Sequence, residues 1–312
     1  PGSGGDVVSP HAKGAVPRIQ VERERFELSC GATLLVHRRP ASAVTAVRVH
    51  VRGGPGLDPE GKDGVVQLTG AFADQGTSTR TDQDLAALLE PEGGGVSGDA
   101  MGLSGAVAGT AWPVLMDVLG ELVTDAAYPE ALIERQFERM KTRLEVEADD
   151  PRAQGGILFK RLVYGDDHFL GRNTYGNLET VQRITAQDLR DHRASNWCGA
   201  RLVIAVVGDV DLGEVRDRAE RAFGRVPVGT PYERPAASFP PIERRTAAFE
   251  RDRQQVHVHL GHLGIERAHP DYVPLAVMDH VLGTGPGFTN RITRVLRDEL
   301  GLAYTVHADI HG

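Results

Sequence analysis

Gln67, Gly70 and Ala71 stand at i, i+3 and i+4 within residues 62–77, so on a helix they share one face. Histidine, glutamate and histidine at that spacing would supply two zinc ligands and a base to activate water. An amide, a hydrogen and a methyl supply none of these. The stretch therefore keeps the frame of a metal site without its ligands. A second candidate set is His257, His259 and His262, alternating on a strand-like run, with no carboxylate or cysteine at a familiar spacing beside them. Cys30 and Cys198 show no paired-motif spacing and read as two buried thiols.

The elements that must position these residues follow from periodicity. Residues 62–77 read as one short helix, with Asp63 placed to cap its start and Gly76 placed to end it in the left-handed conformation. Val65, Leu68 and Phe72 give it one buried stripe. Before it, residues 26–30 and 33–36 form two short strands around Gly31, and Val47, Val49 and Val51 alternate with Arg48, His50 and Arg52. Thr81 with Asp84, and Thr185 with Asp188, are capping boxes opening two further helices. Apolar stripes predict helices with Pro113 in a first turn, over 132–144 and 157–163, and over 212–223. Residues 201–207 read as a buried strand.

The run Gly93-Gly94-Gly95-Val96 lacks the Gly-Lys-Ser/Thr ending of a phosphate loop and runs on into strand-like residues 101–108. It reads as a glycine-rich entry into an edge strand, where bare backbone at Gly94, Gly95 and Val96 can be approached by another chain.

Composition and charge narrow the classes. At 312 residues, 40% hydrophobic and 25% charged, the chain has the make-up of a globular protein that can bury one large core or two medium ones, with two the expectation. A net charge of -8 leaves no basic footprint for nucleic acid, and no apolar run is long enough to span a bilayer. There is no signal-peptide pattern, but the chain opens on Pro1, so the compartment, periplasm or cytoplasm, stays open.

Residues 1–18 read as a disordered leader, 19–225 as the first domain, 226–244 as a proline-rich linker, and 245–312 as a partial second domain. In the second domain, strands are expected near 246–251 and 255–260, helices over 270–282 and 289–300 with Gly301 as a C-cap, and a strand over 302–308.

Four stretches in order, residues 64–77, 164–189, 202–211 and 291–306, resemble the insulinase/pitrilysin family of zinc metallopeptidases, which includes the mitochondrial processing peptidase subunits. The resemblance covers nearly all of residues 20–312. It implies an α+β fold of two similar halves, each an antiparallel sheet backed by helices, with the second half cut short. Gln67 and Ala71 match the two zinc histidines of active members and Gly70 the catalytic glutamate. Arg143 matches the third ligand and Gln136 a nearby acidic position. No zinc is expected in this chain.

The resemblance also matches Arg297 and Tyr304 to a pair that hydrogen-bonds substrate backbone and oxyanion in a zinc site on another half or subunit. Read without it, Arg297 is a cation favoured in the last turn of a helix. Tyr304 is then an ordinary tyrosine sharing a strand face with Leu302 and Val306. The expectation is a subunit that binds peptide or unfolded protein and completes a zinc-bearing partner. Its alternatives are an active zinc peptidase with ligands elsewhere, and a non-proteolytic scaffold.

Overall fold

The structure, a computed structural model, describes residues 22–166, 168–234, 239–241, 243–284 and 289–310. The leader expected over residues 1–18 lies outside them. Among the described residues, six strands make one sheet: β1 (Glu22–Glu27), β2 (Thr33–Arg38), β3 (Val44–Val51), β4 (Gly95–Asp99), β5 (Gly102–Ala108) and β6 (Leu202–Gly208). Their order across the sheet is β1-β2-β6-β3-β5-β4. Neighbours pair antiparallel except β2 with β6, which run parallel. This pair departs from the all-antiparallel expectation. The chain leaves the sheet after β5 and returns, through helices, to insert β6 between β2 and β3; such long crossovers are what parallel pairs require.

The alternation read at Val47, Val49 and Val51 sets the sheet's two faces. Those valines are buried, with Leu34, Val36, Leu103, Val107, Ile204 and Val206 on the same side. Against them pack α3 (Trp112–Asp125) and α8 (Leu212–Phe223), through Leu115, Leu119 and Leu122 and through Val215, Ala219 and Phe223. Each of the larger of these buried side chains contributes roughly 1.5–3 kcal/mol. The two helices touch where Gly120 faces Ala222; a Cβ at Gly120 would lie 2.6 Å from the Ala222 carbonyl oxygen.

Seven further segments complete the helical layer: α1 (Val65–Ala71), α2 (Asp82–Leu89), α4 (Glu130–Asp149), α5 (Pro151–Tyr164), α6 (Leu178–Gln182), α7 (Ala186–Asn196) and, in the second half, α9 (Tyr272–Asp279). Both predicted capping boxes form, Thr81 with Asp84 on α2 and Thr185 with Asp188 on α7. Asp150 and Pro151 separate α4 from α5, the Asp150 carboxylate accepting the Arg152 amide at 2.9 Å.

The second half differs from expectation. A wider π turn (His280–Thr284) extends α9, and a short helix (Arg291–Thr293) continues as a π turn over Arg294–Glu299. None of the strands expected at 246–251, 255–260 and 302–308 forms. Val256, Val258, Leu260 and Leu302 are 86%, 81%, 95% and 73% exposed. Period-2 sequence prepares a strand, but a strand exists only against a partner's N–H and C=O groups, and among the described residues no edge stands beside these.

Candidate functional site

The helix that carries the vacated frame is shorter and differently built than its sequence suggests. α1 begins at Val65 and its last turn closes at Phe72. Asp63 does not cap it. Gly64 occupies the cap position at φ 107°, where a Cβ would press on the Tyr175 carbonyl oxygen at 3.0 Å. The acceptor for the helix start is Asp58, whose carboxylate takes the amides of Gly64 at 3.1 Å and Val66 at 2.8 Å. Burial pushes the Asp58 carboxyl up to about 6 despite these bonds. Asp63 instead pairs with Arg172 at 2.5 Å. Gly76 lies beyond the helix, in a bridge with Thr81. Deep in the layer, the Tyr128 hydroxyl donates to the Thr69 carbonyl at 2.9 Å.

Position 70 is closed by backbone. A Cβ on Gly70 would stand 1.7 Å from the carbonyl oxygen of Asp99, and a Cβ on Gly98 would stand 1.8 Å from the carbonyl oxygen of Gly70. The α1 backbone therefore lies directly on the end of β4, with two glycines making room. No side chain fits at 70, glutamate included. Gln67 and Ala71 are half-buried beside it. Arg143 on α4 sets its guanidinium over the Tyr175 ring, 3.7 Å from the centroid. Since the Tyr175 carbonyl abuts Gly64, Arg143 reaches the start of α1 through one residue. Gln136 is half-buried on the same helix, next to Phe137, whose ring meets Phe72 edge-on at 6.4 Å between centroids. This donor set does not fit a zinc ion: a guanidinium, an amide, a methyl and a glycine pinned against a carbonyl replace two imidazoles and two carboxylates. Among the described residues, no group of three or more His, Cys, Asp or Glu side chains is gathered closely enough to hold a metal. His259 stacks on Phe159 of α5, and His262 Nδ1 lies 2.6 Å from the Leu263 carbonyl oxygen. The thiols of Cys30 and Cys198 are both free and buried.

Gly94, Gly95 and Val96 stand where an edge strand begins, because β4 is the last strand of the sheet on that side. A Cβ at Gly94 would collide with the Ala106 carbonyl oxygen at 2.0 Å, whereas Gly95 faces open space. Asp74, in the loop after α1, accepts the Gly98 amide at 3.2 Å and the Gln75 side-chain amide at 2.7 Å. Burial raises its carboxyl above the usual range. Neither Asp58 nor Asp74 carries a sequence signal, since each works through tertiary placement.

The structure brings Arg297 and Tyr304 together. The guanidinium lies 5.1 Å from the Tyr304 ring centroid, and the chain turns back between them at Gly301, in the left-handed region at φ 60°. The Leu302 amide closes the turn onto the Leu296 carbonyl at 2.8 Å. Arg297 is half-buried and Tyr304 is 81% exposed, on a turn and not on the strand face expected. The segment carrying the pair is not among the main neighbours of α1, which are α7, β4 and the turn at Gly54–Leu57.

The family model for the peptidase M16 inactive domain matches residues 183–312. Zinc proteases of undescribed role in Streptomyces coelicolor and Mycobacterium leprae are each 26% identical, over 76% and 91% of this chain and 53% and 65% of their own lengths. The beta subunit of the mitochondrial-processing peptidase of Blastocladiella emersonii is 25% identical over 86% of the chain and 57% of its own. The chain is a member of the peptidase M16 family. It spans about half to two thirds of the length of these relatives. The fold of this M16 chain is shared with the M16 inactive domain from Pseudomonas fluorescens, at a TM-score of 0.76 and 20% identity over 92% of this chain and 70% of that one. A Helicobacter pylori protease superposes with a TM-score of 0.74 and 16% identity, over 92% and 71%. No described helix of the M16 chain is long and apolar enough to cross a membrane.

Proposed function

We propose that this M16 chain is a non-catalytic peptidase subunit that binds extended peptide and completes the zinc site of a metal-bearing partner of the same family. One contrast carries the reading: backbone closes position 70, while Arg297 and Tyr304 lie together at an accessible surface. Zinc belongs to the partner in this reading, and no step of hydrolysis runs through α1. Peptide adds to the sheet at β4, where Gly94, Gly95 and Val96 present backbone. Arg297 supplies positive charge and donors for an oxyanion, and Tyr304 a hydroxyl within reach of the same centre. The similarity to a mitochondrial-processing peptidase beta subunit, a protein named as one subunit of an assembly, supports pairing.

The test is reconstitution with a relative that retains His-x-x-Glu-His, followed by peptide cleavage. Arg297→Ala is expected to lower the pair's kcat roughly 100-fold and Tyr304→Phe roughly 10-fold, the scale of losing an oxyanion donor or part of one. Unchanged turnover in both variants, with the pair still assembled, defeats the complementing role. Stoichiometric zinc in the chain purified alone defeats the assignment of the metal to its partner.

A further inference from the structure

β4 is an edge strand, but most of its edge donors are already used. Its pairing with β5 sets Gly98 opposite Leu103 and Val96 opposite Gly105. The Gly98 amide donates to Asp74, not to β5, so Gly98 belongs to the class of residues whose backbone points away from the ladder. Alternation then puts the N–H groups of Gly94, Val96 and Gly98 on the outer edge, with Gly95, Ser97 and Asp99 bonded inward. The Gly94 amide donates to the Leu89 carbonyl at 3.0 Å. The Gly70 carbonyl of α1 occupies the space of the absent Gly98 Cβ, on the face of the sheet and not at its edge. Of these three, the Val96 N–H alone has no acceptor among the described residues and is left to donate outward. The opposite edge, β1, reads Glu-Arg-Glu-Arg-Phe-Glu and is guarded by charge. β4 carries one charged side chain, Asp99, and Arg48 grips it through two bonds of 2.7 and 2.6 Å.

We infer that β4 is a one-donor docking slot, in which an extended peptide segment places a single carbonyl on the Val96 N–H. The Gly94 side is closed off by the Leu89 carbonyl and the Gly98 side by Asp74. The inference rests on the peptide-binding reading above and specifies its register: the strand that adds here meets one outward donor, at Val96, and finds the next already taken at Gly98. Asp74 sets that limit, because its carboxylate takes the donor that would otherwise bind the next alternate carbonyl.

Amide hydrogen exchange on the full chain tests this without a partner. In the free chain, Val96 exchanges at least roughly tenfold faster than Gly94 and Gly98, which are bonded internally. An acetylated, amidated Thr-Val-Thr-Val-Thr-Val-Lys peptide at millimolar concentration slows Val96 and leaves the other two unchanged. Asp74→Ala frees the Gly98 amide, which then exchanges fast alone, slows with peptide, and gives roughly two- to tenfold tighter peptide binding, the worth of one hydrogen bond. Asp74→Asn keeps an acceptor oxygen and stays close to the parent, which separates donor capture from a general loosening of the loop. Gly98 exchanging as fast as Val96 in the parent overturns the one-donor slot while leaving peptide binding standing. The expected free-chain pattern with no peptide effect on Val96 overturns peptide binding at β4, and the slot with it.

Discussion

Two regions of this M16 chain stand where the family resemblance puts the two parts of a zinc-peptidase site, and they are built in opposite ways. Around α1 everything is closed. Gly70 and Gly98 exchange backbone contacts, Asp58 and Asp74 bind the amides on either side, and Arg143 covers Tyr175. Around Gly301 the chain presents Arg297 and Tyr304 on a turn, with the tyrosine almost wholly in solvent. In the proposed reading, the difference teaches that the want of a metal site at α1 is not a matter of three side chains. It is built into how a helix rests on a strand, and restoring the side chains would not restore the space. In the second region the close backbone approach, Gly283 against Ala308, lies beyond the pair, and a Cβ at Gly301 would meet nothing within 4 Å, which suits groups that act on something brought to them.

The sharpest way to break the comparison is to put the missing acid back. Gly70→Glu, alone or with Gln67→His and Ala71→His, must drive its Cβ through the Asp99 carbonyl or move the end of β4. We expect a loss of more than about 3 kcal/mol in urea unfolding, at the upper end of overpacking effects because the obstructing atom is backbone. The triple variant is expected to gain no stoichiometric zinc. Parent-like stability would mean that the hairpin yields freely and that position 70 is not locked. Replacing Gln67 and Ala71 with histidine while leaving Gly70 tests the other half of the claim and should cost far less.

Tyr128 offers a smaller probe of the same rigidity. Its hydroxyl is buried and bonded to the Thr69 carbonyl, one residue before Gly70. Tyr128→Phe removes that bond and leaves the carbonyl unpaired in the core, an expected loss of about 1–3 kcal/mol. Arg297→Ala, in contrast, should leave thermal unfolding of the isolated chain within about 1 kcal/mol, because the side chain is only partly buried and the Tyr304 ring beside it is itself largely exposed. A larger loss there would make Arg297 a structural residue and weaken its assignment to a partner's site.

The sequence made the first half readable where structure is local. Both threonine capping boxes, the alternating strand at Val47–Val51 and the stripes of α3 and α8 depend on neighbours in the chain, and each appears as expected. What it could not show is tertiary. Asp63 looked like the cap of α1 because it stands just before the helix, but the loop delivers Asp58 to those amides and Arg172 takes Asp63. Two glycines far apart in sequence carry no mark that they will face each other. The strands expected in the second half failed for a related reason: alternation at Val256, Val258 and Leu260 describes one side of a pairing whose other side is not written locally. At the candidate site, the absence of ligands at Gln67, Gly70 and Ala71 was legible from residue type alone, and so was the edge at Gly94–Val96. That the edge is nearly filled was not.

Asp58 gives the finest test, through pH. Its carboxyl is raised to about 6 in the folded chain, against about 3.9 in an unfolded one. The folded state therefore binds more protons than the unfolded state between those values. By linkage, this group's contribution is fully present below about pH 4 and is lost as pH rises through 6. A shift of about two units corresponds to roughly 3 kcal/mol, and relaxation of the loop would reduce what is measured. Carboxyls held low, such as Asp99 by Arg48 and Asp188 by Lys62, work in the opposite direction at lower pH, so the raw profile mixes the signs. The difference between the parent and Asp58→Asn isolates the contribution of this one carboxyl. Relative to the parent, the Asp58→Asn variant should gain stability steadily from pH 4 to pH 7. Asparagine keeps one acceptor for the Gly64 and Val66 amides but has no charge to desolvate. A flat difference across that window would mean that Asp58 is solvated in the folded chain, and that the start of α1 is looser than its two hydrogen bonds imply.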